Sequence, residues 1–167
     1  EFFLKQTIDD PRLGLLIKPK RFRSLPWIEW HKPELKDLFQ RALATDRVSI
    51  LDGRLSPVEA AAAADISVGV DINSATILAA LSGRRAIHLD YVRLHAGPLS
   101  GWAKFHRTGP DRLVFDDPAK LWEKLNQYFD CPQDHLDLGN AEECLLREID
   151  PFRDGRAGQR MGEYLRW

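Results

Sequence analysis

The stretch Ile66-Ser67-Val68-Gly69-Val70-Asp71-Ile72-Asn73-Ser74-Ala75-Thr76, followed by an apolar run to Leu81, by Ser82-Gly83 and then by Ala86-Ile87-His88-Leu89, decides the fold class. Residues 66–70 form an apolar run of strand length, with β-branched side chains at 66, 68 and 70. Residues 74–81 read as a helix, and Gly83 stands where a helix ends in the left-handed conformation. Residues 86–89 are again short and apolar. Strand, helix, strand in so brief a span predicts two parallel strands, because the helix supplies the crossover that a parallel pair needs.

The same alternation extends toward the N-terminus. Residues 13–17 are an apolar run bounded by Pro11 and by Lys18-Pro19-Lys20, the pattern of a strand buried on both faces and stopped by proline. Residues 33–44 place Leu35, Leu38, Phe39, Ala42 and Leu43 at helical spacing, with Pro33 at the first helical position. Residues 48–51 read as a second strand closing on Asp52-Gly53, and Ser56-Pro57-Val58-Glu59 supplies a capping box for an alanine-rich helix up to Ala64. Such alternation predicts an α/β fold, a Rossmann-like three-layer sandwich with a mainly parallel sheet, right-handed crossovers and helices on both faces.

Toward the C-terminus the pattern lapses over residues 93–112, a stretch rich in Gly, His and Trp that reads as a candidate active-site loop. Residues 113–115 give a brief strand, and Asp117-Pro118 opens a helix through Tyr128. Residues 142–149 are helical, Asp150-Pro151-Phe152 breaks them, and residues 159–167 form a last helix. There is no repeat and no low-complexity linker, so residues 1–167 are read as one domain.

Composition narrows the function classes. The chain has 167 residues, 44% of them apolar, enough for a real core. Lys and Arg total 24 against 25 for Asp and Glu, a net charge of -1 that gives no global field for nucleic acid. Any anion site is therefore local, and association with a membrane surface would be peripheral. The two cysteines, Cys131 and Cys144, fit no metal spacing or disulfide framework and read as free thiols in a reducing cytoplasm. No run of 18 apolar residues occurs. The beginning, Glu1-Phe2-Phe3-Leu4, has no initiator Met and no basic segment ahead of an apolar one, which reads as a fragment or a processed chain.

The first candidate site is the turn from Asp71 into the helix. Amides at a helix start, with the macrodipole behind them and the hydroxyls of Ser74 and Thr76 beside them, attract an anion, so Asn73, Ser74, Ala75 and Thr76 form a candidate phosphate site. Ordinary capping by Asn73 or Ser74 accounts for the same residues without a ligand. Lys18-Pro19-Lys20-Arg21 also follows a strand, and ligands of open parallel sheets bind outside the strands' carboxyl ends. Lys18 is the favoured phosphate partner, with Lys20 second; a solvated basic loop is the alternative.

Asp52, Gly53 and Ser56 follow the second strand and Asp90 the fourth, making them candidate contacts to a base, a ribose or a sugar. The spacings of His88, His95 and His106 match no familiar ligand pattern, so no metal is expected. His88 lies within a strand and reads as structural. GxGxxG, Walker A and GxSxG motifs are absent, against the standard NAD(P), P-loop and serine-hydrolase readings. Asp150-Pro151-Phe152-Arg153-Asp154-Gly155-Arg156 reads as a salt-bridged lock for the last helix.

In order, these parts resemble the C-terminal domain of GT-B enzymes, a group that includes capsule and teichoic-acid transferases of the glycerophosphotransferase type and UDP-sugar 2-epimerases. Lys18-Pro19-Lys20 matches a Lys-Pro-His element, Ala64-Asp65 with Asn73-Ser74 matches the second element, and Ser82-Gly83-Arg84-Arg85-Ala86-Ile87 matches the third, with Arg85 where proline is common. The helix after Asn73 lacks the acidic residue that many retaining members carry. The closing Asp-Pro-Phe-Arg-Asp-Gly-Arg segment is similar to the end of bacterial polysaccharide-biosynthesis proteins.

The resemblance implies a donor-nucleotide-binding domain of a glycosyltransferase of surface-polysaccharide synthesis. A nucleotide-diphosphate sugar would lie between this chain and an N-terminal Rossmann domain that supplies the general base, with no cofactor. An epimerase or glycerophosphotransferase domain is the related alternative. A non-catalytic assembly module, using Trp27, Trp30 and Trp102, is an alternative of another class.

Overall fold

The computed structural model describes residues 1–20, 32–71, 73–93, 97, 104–109 and 111–166. Its first element is a helix that the strand and helix pattern above did not include, α1 (Phe2–Asp9), in which Leu4 and Thr7 are buried. Strand β1 (Leu15–Ile17) and helix α2 (Glu34–Leu43) follow, then strand β2 (Val48–Ile50) and helix α3 (Pro57–Ala62). Strand β3 (Ile66–Val70), helix α4 (Ser74–Leu81) and strand β4 (Arg85–Leu89) fall where the pattern puts them. After a 3-10 helix (Lys104–Thr108) come β5 (Val114–Phe115), α5 (Pro118–Asp130), a second 3-10 turn (Pro132–His135), α6 (Glu143–Ile149) and α7 (Ala157–Tyr164). The last helix thus begins two residues ahead of its expected start. Half of the candidate loop 93–112 lies outside the described residues.

All strand pairings are parallel. β1 pairs with β2 in the register Leu15↔Val48 and Ile17↔Ile50, while β3, β4 and β5 form a second ladder in sequence order, with Gly69↔His88 and Leu89↔Phe115. The α/β fold is therefore as expected, but its strands divide into two ladders rather than one continuous sheet. β2 is three residues long, with Ser49 and Ile50 exposed.

Alternation along β4 builds the layers. Ile87 and Leu89 face α5, where Phe115, Leu121 and Leu125 complete one buried cluster. Ala86 faces the other way, into a cluster of Ala79, Ala80, Phe105, Leu113, Val114, Leu145 and Leu146 contributed largely by α4 and α6. Small residues on the α4 side let that helix approach the sheet closely, whereas the α5 side is filled by bulky ones. Fully burying each of the large apolar side chains contributes about 1.5–3 kcal/mol.

A third cluster, Leu4, Ala42 and Val48 with Ile8, Leu15 and Leu38 against them, holds α1 and α2 on the first ladder. α1 also sends Phe3 to the α5 cluster, so one short helix touches both ladders' cores. Among the described residues, no helix is long and apolar enough to cross a membrane.

Candidate functional site

The polar groups that the core does not absorb collect where strands end. At the carboxyl end of β1, Lys18 is half-buried and its Nζ donates to the carbonyls of Pro19 (3.0 Å) and Gly53 (3.3 Å). The residue after β1 is thereby tied to the loop after β2, and Lys18 keeps its ammonium at the meeting point of the two strand ends. Lys20 is exposed. In the β2 loop, the Asp52 carboxylate accepts from Arg54 through Nη2 (2.8 Å) and through the Arg54 amide (2.8 Å). Those hydrogen bonds hold its pKa down to about 2, with a smaller contribution from the charge on Lys18.

Ser56 is engaged in the expected capping box: its Oγ accepts from the Glu59 amide and its own amide donates to Glu59 Oε2 at 2.7 Å. Of the five candidates around this end, Lys18 and Gly53 are thus brought together, and Lys20 stands exposed. Asp52 and Ser56 are held in local turns.

At the carboxyl end of β3 the chain turns through Asp71, whose φ of 56° lies in the left-handed region that Asp tolerates better than most residues. Its amide donates to the Leu89 carbonyl at 2.8 Å, extending the β3–β4 ladder by one bond. Asn73 caps α4. Its Oδ1 accepts from the Thr76 amide (3.0 Å) and the Thr76 hydroxyl (3.1 Å), and its Nδ2 donates to the carbonyls of Val70 (3.0 Å) and Asp71 (3.3 Å).

The turn is therefore stitched by one side chain, the ordinary capping arrangement. Thr76 is buried with its hydroxyl turned into the turn, while Ser74 and Ala75 remain exposed at the helix start. Gly69 makes this closure possible, since a Cβ there would sit 1.8 Å from Thr76 Oγ1 and 2.4 Å from Asn73 Nδ2.

Beneath that turn lies a group of residues sequence reasoning only partly recognised. His88 and Asp90 share the α4-facing side of β4 and its exit, since they are two residues apart along an extended chain. Both are wholly buried. His88 Nδ1 lies 3.3 Å from the Asp71 carbonyl, which can only accept, so this nitrogen carries the proton. Burial pushes the His88 pKa below the usual value; the Asp71 contact opposes that, nearby His106 adds to it and Asp90 opposes it.

The ring is therefore neutral, with a lone pair on Nε2. That nitrogen and Asp71 Oδ1 are both buried without a hydrogen-bond partner among the described residues. The Phe105 ring lies against His88 with 4.7 Å between centroids, and the next residue of the same 3-10 helix, His106, sets its Nε2 3.3 Å from Asp90 Oδ2.

Chemically, the Asp90–His106 pair is a buried carboxylate orienting an imidazole whose side chain retains 21% exposure, an arrangement suited to proton transfer. Asp71 and Asp90 make this end of the sheet acidic, while the cations stand at the carboxyl end of β1. The hydrogen bonds of Lys18 stay within the first group and those of Asn73 and Thr76 within the second. No group of three or more His, Cys, Asp or Glu among the described residues has a geometry that would hold a metal. His95, Arg21 and the tryptophans at 27, 30 and 102 lie outside the described residues. Cys131 and Cys144 are free thiols, both exposed.

The lock at the C-terminus forms as read. Asp150 Oδ1 accepts from the Arg153 amide (3.2 Å), Arg153 Nη2 donates to the Leu81 carbonyl at the end of α4 (3.2 Å), and Arg153 Nη1 lies 3.6 Å from Glu143 Oε2. It fastens the segment to α4 and α6. Comparison with protein-family models, with curated proteins and with solved structures finds no match.

Proposed function

We propose that this chain is the donor-nucleotide-binding domain of a glycosyltransferase-like enzyme of bacterial surface-polysaccharide synthesis, taking a nucleotide-diphosphate sugar. One observation supports the reading above others: within each of two parallel ladders, polar residues stand at the strands' carboxyl ends, Lys18 and Gly53 after β1 and β2, and Asp71 with the α4 start and Asp90 after β3 and β4, where open α/β sheets take their ligands. Lys18 and Lys20 supply the positive charge for the diphosphate. The loop after β2 flanks the base or ribose. The general base comes from an N-terminal Rossmann domain, so this chain alone binds nucleotide and turns over little.

A second reading, a non-catalytic assembly module, is favoured by the exposed Phe152, Met161, Tyr164 and Leu165 on and flanking α7, a concentration of apolar surface that a partner would cover. Titration of the chain with UDP, CDP, GDP and their sugar conjugates, followed through amide chemical shifts, separates the two. Saturable shifts at Lys18 and at residues 73–76 are the expected result. Shifts absent throughout the panel, together with α7 amides that broaden as protein concentration rises, would favour the assembly module.

A further inference from the structure

The turn from β3 into α4 was a candidate for phosphate, but its chemistry favours a different group. Asn73 Oδ1 already accepts from the Thr76 amide and hydroxyl, and the neighbouring side chains Asp71 and Asp90 are acidic. An anion there would meet like charge. What the carboxyl ends of β3 and β4 do offer is hydrogen-bond acceptors without donors. His88 Nδ1 is committed as a donor to the Asp71 carbonyl, which leaves Nε2 an acceptor, and Asp71 Oδ1 is a second.

His88 is wholly buried, so leaving its lone pair empty is unfavourable in a way that an apolar residue at the same place would avoid. On this face of β4 it lies between Ala86 and the buried Asp90, with Gly69 opposite in register and Phe105 stacked on the ring. The Asp71 carbonyl satisfies Nδ1, and Nε2 calls for a donor of its own.

We propose that His88 Nε2 and Asp71 Oδ1 form a recognition site for hydroxyl groups of the bound ligand, the hydroxyls of a ribose or of a hexose ring, rather than for its phosphates. This rests on the nucleotide-sugar reading above and divides the labour within it: Lys18 takes charge at the end of β1, and the β3–β4 ends take neutral donors. Asp71 itself is half-buried, and the short 3-10 helix carries Phe105 onto the His88 ring. A ligand ring with several hydroxyls can supply a donor to each acceptor.

The test uses the full chain and three probes for each base: the nucleoside diphosphate, its 2′-deoxy form and its glucose conjugate. In the wild-type chain, the His88 Nε2 nitrogen resonance should move toward the hydrogen-bonded position on addition of a binding probe. His88→Phe, which keeps a ring in the core, and Asp71→Asn, which keeps a residue tolerant of the left-handed turn, should each weaken that probe about tenfold. A loss confined to the glucose conjugates assigns the site to the hexose; a loss with the diphosphate that vanishes in its 2′-deoxy form assigns it to the ribose.

If probes bind while the His88 resonance stays still and both variants bind as the wild type does, the hydroxyl site is overturned and the donor-domain reading stands. If no probe binds at millimolar concentration, both fall.

Discussion

His88 carries its buried ring in the neutral form, and the pH dependence of stability follows from that. In the unfolded chain it takes up a proton as pH falls through about 6.5, whereas in the fold its pKa is lowered by burial. The unfolded state therefore binds more protons just below pH 6.5, and stability contributed by the neutral ring is present above that pH and lost as pH falls toward the folded value. Urea unfolding midpoints should decline between pH 7 and pH 5, and His88→Phe should flatten that part of the profile. Equal slopes in the two proteins would mean that His88 is not held neutral.

Gly69 belongs to the same scale. Gly69→Ala forces a methyl into the space of Thr76 and Asn73, and chemical denaturation should show a loss of about 1–3 kcal/mol. A neutral result would show that the α4 turn does not lie against β3 as described.

At the scale of elements, the parts most legible in the sequence were those punctuated by side chains with one clear local function. Ser56 and Glu59 form their reciprocal cap, Asp117 accepts from the Ala119 amide at 2.8 Å, and Gly83 turns at φ 77° after α4. α1 was missed although Phe3, Leu4, Thr7 and Ile8 repeat at helical spacing, because the helix is barely two turns long and Glu1 makes no side-chain capping bond. Arg85 has a role that no local signal announces: its Nη1 donates to the Leu138 carbonyl at 2.7 Å and its guanidinium lies over Tyr128.

The site was legible as positions and not as chemistry. Residues after strands can be counted from the sequence, but that His88 and Asp71 would meet across two strands depends on register. Asn73→Ala removes the cap and leaves the Thr76 amide without its acceptor, and thermal or urea unfolding should register a loss of about 1 kcal/mol. The loss should appear in hydrogen exchange first at the start of α4.

For the whole molecule, the division into two ladders matters most. The cluster that holds β1 and β2 is small, centred on Leu4, Ala42 and Val48, and it depends on α1. In the larger three-stranded ladder, β4 and β5 are covered on both faces. Leu4→Ala should therefore loosen the first ladder selectively: the amides of Leu15 and Ile17 should lose protection well before those of Ile87 and Leu89 in native-state hydrogen exchange. Uniform loss across both ladders would show that they unfold as one unit. The same division makes Lys18 vulnerable, since the strand that carries it belongs to the smaller core.

The central claim, that strand carboxyl ends form a nucleotide-diphosphate site, is tested most directly by comparing the wild-type chain with Lys18→Met in a calorimetric titration with UDP, CDP and GDP. Saturable binding of at least one nucleotide, weakened about tenfold or more in Lys18→Met, is the result the account predicts, because the lost contact is charge-assisted. Binding that is unchanged in Lys18→Met, or no binding by a folded wild-type chain, would contradict it.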